Sequence, residues 1–180
     1  MSSRQHAEWL RTESVEPPLG SHIRGTYREP DLADAYRIRV PDTVSSDPER
    51  LARHLFDTSP RWVAVLMRIR DSIVAVVGLK TAWRLRRSSR NDAVERVGIF
   101  RIYERHADEI VLGEDDRHLD FRLSVMRESQ AAAHGTYVTV ATCVDCHNLL
   151  GRTYLSLIAP FHRAVVRSTL RRAARVGWPE

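Results

Sequence analysis

The chain has 180 residues, 43% of them apolar and 28% charged, a make-up that fits a folded domain with a sizeable core and excludes a disordered one. Its formal net charge of +5 would ordinarily raise nucleic acid as a partner. Lys80, however, is the only lysine among 28 basic residues, and the arginines alternate with acids almost everywhere, so no nucleic-acid partner is expected.

The leading stretch, MSSRQHAEWLRTESVEPP, lacks the apolar core of a secretory signal. No run reaches the roughly 18 uncharged apolar residues of a membrane span; Trp62 to Leu79 comes nearest, and Arg68, Arg70 and Asp71 interrupt it. A cytoplasmic protein without stable membrane insertion is the expectation. Residues 1–25 read as an N-terminal extension, wrapped on the surface or partly mobile, ahead of a single domain over 26–180.

The elements follow in order. Asp31 to Val40 alternates as a strand and stops at Pro41-Asp42. Ser46-Asp-Pro-Glu49 has the form of a capping box, predicting a short helix from Pro48 to Phe56. Ser59-Pro60 repeats the signal, and Trp62, Val65, Leu66, Ile69, Ile73, Val76 and Val77 mark one face of a second helix closed by Gly78. Thr81 to Arg96 reads as a basic connector, with a cluster at Arg84 to Arg90.

From Val97 the period becomes two. Strands are expected at Val97–Glu104 and Glu109–Leu112, then a turn at Gly113–Asp116, then strands at 117–127 and 136–147. The short links argue for an antiparallel meander. In the third of these strands Leu119, Phe121, Leu123 and Val125 lie on one side, and His118, Asp120, Arg122 and Ser124 on the other.

The chain then turns at His147-Asn148 into its longest helix. Asn148 is a preferred N-cap, Leu155, Ile158, His162, Val165 and Thr169 form the stripe, Pro160 predicts a kink, and Gly177 is the stop. His162 within an apolar stripe has two readings, a satisfied boundary histidine or a contact to a ligand. The expected whole is an α+β domain, an antiparallel sheet covered on one face by the long C-terminal helix.

Cys143-Val-Asp-Cys146-His147 matches the C-x-x-C-H pattern of haem attachment. Such attachment belongs to exported proteins, and a zinc pair would lack its second C-x-x-C. The match is read as coincidental, with no cofactor and no metal.

Two segments carry a resemblance: Gly113-Glu-Asp-Asp-Arg-His-Leu-Asp-Phe-Arg122, and His147-Asn-Leu-Leu-Gly-Arg-Thr-Tyr154 followed by Ile158-Ala-Pro-Phe-His162. With the element order, they resemble the START-like, or SRPBCC, superfamily, and within it a bacterial family of unknown function, over about residues 25–175. The resemblance implies a helix-grip fold, a curved antiparallel sheet around the last helix, two shorter helices after the first strand, and a hydrophobic cavity between sheet and helix. Relatives of this kind look like stand-alone domains or appendages to nucleotide-binding domains. No G-x-G-x-x-G occurs here, so no nucleotide role is carried over.

Candidate ligand-binding residues are His118, Asp120 and Arg122 from the strand and Tyr154, Ile158 and His162 from the helix. A His beside a carboxylate is the pattern of acid–base work, which makes His118 and Asp120 the catalytic candidates. The alternative is that this polar side simply faces solvent. Arg152 is placed to pair with Asp145 or Asp120. Three functions follow: binding of a small hydrophobic or lipid-like ligand, a cyclase- or hydratase-type enzyme, and an accessory interaction domain using Arg84–Arg90 or the C-terminal arginines. The oligomeric state is not legible.

Overall fold

The alternating stretches become neighbouring strands of one sheet. A computed structural model describes residues 9–57, 95–130 and 135–180. The expected helix over 60–78 and almost all of the connector after it lie outside the described residues. Strands β1 (Thr12–Val15) and β2 (Leu32–Val40) are followed by helix α1 (Pro48–Phe56), then β3 (Arg96–Val97), β4 (Phe100–Arg105), β5 (Glu109–Asp115), β6 (Leu119–Gln130) and β7 (Gly135–Cys146), and finally helix α2 (Leu149–Val176). The order across the sheet is β1-β2-β7-β6-β5-β4-β3, every pair antiparallel. The meander is therefore present, and β2 joins its far side against β7.

Three local readings change. The expected strand from Val97 splits at Gly98, whose positive φ of 58° makes a tight hairpin between β3 and β4. Gly113, read as a turn residue, lies inside β5, where a Cβ would stand 2.3 Å from the Phe121 carbonyl oxygen. It is glycine because two strands approach there, not because the chain turns. In α1 the cap is Asp47, one residue later than the capping box suggested, with its side chain accepting from the Glu49 N–H. The long helix starts after Asn148 as expected, runs continuously through Pro160, and ends at Gly177.

The sheet is covered on both faces. On one, α2 lies along β2 and β7 and α1 lies over β5 and β6. Tyr36, Ile38, Leu112, Leu123, Val125 and Val140 meet Leu51 and Leu55 of α1 and Val166 and Leu170 of α2 there, forming the main core. On the other, Ile23 packs on Ala35, Val111, Ala141 and Cys143, with Tyr27 and Tyr103 at the margin. That second cover is the N-terminal segment, which also adds β1 to the sheet edge.

Candidate functional site

Strand geometry decides which candidates share a face, because side chains two apart point the same way. Leu119, Phe121, Leu123 and Val125 face the helices. Asp120 and Arg122 belong to the opposite, outer side, whereas His118, expected in the same strand, precedes β6 in a bend and is placed by its contact with Asn148. His162 projects from α2 on the helix side, where its Nε2 lies 3.3 Å from Asp34 Oδ1 of β2. The six candidates thus divide: Tyr154, Ile158 and His162 on the helix side, Asp120 and Arg122 on the outer side, and His118 in the bend before β6, against the start of α2.

Each outer-side candidate is held by neighbours. Arg122 donates to Asp115 Oδ1 at 2.7 Å and to the Phe121 carbonyl at 2.9 Å, and its guanidinium lies 3.6 Å from the centre of the Tyr103 ring. Tyr103 donates its hydroxyl to the same carboxylate at 2.8 Å. Burial works to raise the Asp115 pKa, but these two donors outweigh it and hold the carboxyl below its ordinary value. Burial pushes the Tyr103 and Tyr27 phenols up to about 12.

Asp120 and His118 help seat the start of α2. Asp120 Oδ2 lies 3.1 Å from His147 Nε2, while its Oδ1 accepts from the Asp116 N–H at 3.0 Å. Asn148 has two roles: its amide donates to His118 Nδ1 at 3.0 Å, and its carbonyl oxygen accepts from the Gly151 N–H at 3.1 Å. Gly151 has no room for a side chain, since a Cβ would stand 2.2 Å from the His118 carbonyl oxygen. Arg152 pairs with Asp31 at 3.2 Å, and not with Asp145 or Asp120, because Asp31 sits at the end of the strand that α2 crosses. The segments Gly113–Arg122 and His147–Tyr154 that carried the resemblance therefore meet at one joint between β6, β7 and the helix, while Ile158–His162 lies further along α2.

The largest polar group inside the outer face was not legible. Glu109, at the start of β5, is fully buried. Its Oε1 accepts from the Ser21 hydroxyl at 2.5 Å and from the Ser124 hydroxyl. Its Oε2 accepts from the His22 N–H at 2.7 Å and lies 2.6 Å from His22 Nδ1. Burial opposes ionisation, but the four donors win, led by the His22 backbone, and Glu109 stays below its ordinary pKa. The His22 ring stacks on His106 with centroids 3.4 Å apart, and His106 Nε2 lies 2.8 Å from Glu104. An acid in phase with Val111 on a covered face was the only sequence signal for this site.

The cysteines lie on opposite sides of β7. Cys143 is under Ile23 on the outer face, whereas Cys146 packs with Val144 and Leu155 on the helix face. Two sulfurs divided by the sheet cannot hold one haem or one metal ion. Burial raises both thiol pKa values, that of Cys146 to about 11. Among the described residues no group of three or more His, Cys, Asp or Glu side chains is arranged to hold a metal, and no helix is long and apolar enough to cross a membrane.

The helix side holds a different kind of feature. Phe56, Phe100 and Phe121 form an edge-to-face series, with ring centres 5.3 Å and 5.9 Å apart. Leu119 and Ile158 pack on the same buried cluster as Phe121, and Tyr154 of α2 packs on both of them. All but Tyr154 are only partly buried although they face the helices.

These features define a mixed α+β domain, an open seven-stranded antiparallel sheet with a C-terminal helix on one face and an N-terminal segment on the other. The chain belongs to the family described as "Protein of unknown function (DUF2867)", whose model matches residues 26–169. No curated protein and no solved structure gives a match. Ser21, His22 and Ile23 stand just outside the matched span.

Proposed function

We propose that the protein binds a small hydrophobic or lipid-like molecule between the first half of α2 and the helix side of β4–β6. The observation that carries this reading is the series Phe56, Phe100, Phe121, Leu119 and Ile158, apolar side chains on the core side that are left half-buried. Partly covered aromatic and aliphatic groups on the inner side of a sheet are what an apolar ligand would finish covering. The same layout supports a helix-grip reading within the START-like superfamily, with Tyr154 and Ile158 as lining residues. His162 takes part only at the margin, through Asp34.

Binding needs no cofactor and no chemistry. A cyclase- or hydratase-type reaction would want acid–base groups beside the ligand, yet Asp120 belongs to the opposite side of β6 and pairs with His147, and His118, in the bend before β6, is engaged by the cap Asn148. Native mass spectrometry of freshly purified protein, compared with its denatured mass, tests the reading. Extra noncovalent mass of an apolar compound is expected, and Phe121→Glu should abolish it. A bare mass, together with no thermal stabilisation by any member of a fatty-acid and sterol panel, would overturn it.

A further inference from the structure

Helix α2 contains Arg152, Arg163, Arg167, Arg171, Arg172 and Arg175 and not one acid. Its side chains toward solvent follow one line at steps of three and four: Leu150, Thr153, Leu157, Phe161, Ala164, Ser168, Arg171 and Arg175, with Ser168 only partly exposed. The first half of this line is apolar apart from Thr153, whose hydroxyl donates to the Leu149 carbonyl, and it is open to solvent. Leu157 and Phe161 are each 53% exposed, and Leu149, at the helix start, is 79% exposed. The second half is cationic. Arg152 and Arg163 have Asp31 and Asp34 beside them, but no carboxylate pairs with Arg171 or Arg175 among the described residues. At about 1.5 Å per residue the line is roughly 38 Å long.

We propose that this side of α2 is a docking surface for an anionic lipid bilayer. Large apolar side chains enter the boundary between headgroups and acyl chains, while the arginines at the other end meet lipid phosphates. The acid-free face gives the charge complementarity, and the exposed leucines and phenylalanine favour a lipid interface over an acidic polymer, which would gain nothing from them. This surface is separate from the half-buried residues of the proposed ligand site, so either reading can fail alone.

The test is co-sedimentation of the full chain with vesicles of phosphatidylglycerol in phosphatidylcholine, against phosphatidylcholine alone, at low and high salt. Binding to the anionic vesicles, weakened by salt, is expected. Arg171→Gln with Arg175→Gln should lower partitioning by about five-fold per cation. Leu157→Gln with Phe161→Gln should lower it by about ten-fold or more. Both pairs are exposed, and unchanged melting curves will show that the fold is kept. Absence of binding by the wild-type chain overturns the proposal, as does equal binding to neutral vesicles. Loss on changing the arginines with none on changing Leu157 and Phe161 also overturns it and assigns an acidic polymer instead.

Discussion

The two faces of the sheet are covered by opposite means. The helix face is covered by apolar area, which is non-directional and tolerates gaps, and it leaves Phe100, Phe121 and Ile158 half-exposed. The outer face is covered by a short irregular segment with little apolar area of its own, fastened by one buried carboxylate. A carboxylate with four donors is stable only while all of them are present. One face can therefore change shape around a ligand; the other cannot change without coming apart.

The largest effect should come from breaking the outer face at its acid. Glu109→Ala strands the Ser21, Ser124 and His22 donors, and a cost of about 3–5 kcal/mol in urea denaturation is expected. Glu109→Gln keeps the shape but loses the charge, and about 1.5–3 kcal/mol is expected. The acid limb of the stability curve tests the same point. Because the folded protein holds Glu109 below its ordinary value, its contribution is fully present above that value and is lost as pH falls through the folded one. The Gln variant should therefore show a flatter acid limb than the wild type; an equal slope would mean that the carboxylate does not fasten the segment.

Addition on the outer face should come next. Gly113→Ala puts a methyl group 2.3 Å from the Phe121 carbonyl oxygen, a backbone atom that cannot swing away. A loss of about 1–3 kcal/mol in thermal melts is expected. Removal on the helix face should cost less. Phe121→Ala deletes a half-buried ring, so roughly 1–2 kcal/mol is expected, against about 3–5 kcal/mol for a fully buried one. If Phe121→Ala proved the costlier of the two, the contrast between a rigid and an adaptable face would fail.

Local chemistry was legible in the sequence, and long-range chemistry was not. Asn148 reads as a cap because capping is decided within one turn, and the structure confirms its bond to Gly151. The alternation from Leu119 to Val125 was also legible, since it is a property of a single strand, although His118 falls in the bend before it. Which side met the helices was not, because that depends on the partner. Glu109 stayed hidden for the same reason: Ser21 lies 88 residues away and His22 87, and nothing local in either announces a buried bond. Gly113 misled because glycine serves both turns and close strand approaches, and only the neighbouring strand tells them apart.

The smallest expected effect is the most selective probe of the contrast. Both cysteines are free and buried, one beneath each cover. Alkylation requires the thiolate and a local opening, and burial already disfavours the thiolate at both positions. Cys143 can be reached only when the segment carrying Ile23 lifts, whereas Cys146 is released when the first turns of α2 part from β7. Labelling of the native protein with iodoacetamide, located at each cysteine by fragment-ion mass spectrometry because both lie in one tryptic peptide, therefore reports the two covers separately. In Glu109→Gln the Cys143 rate should rise while the Cys146 rate stays near that of the wild type. An apolar ligand should slow Cys146 and leave Cys143 unchanged. Equal acceleration of both in the Gln variant would mean that the faces open together, and the division of labour between them would have to be given up.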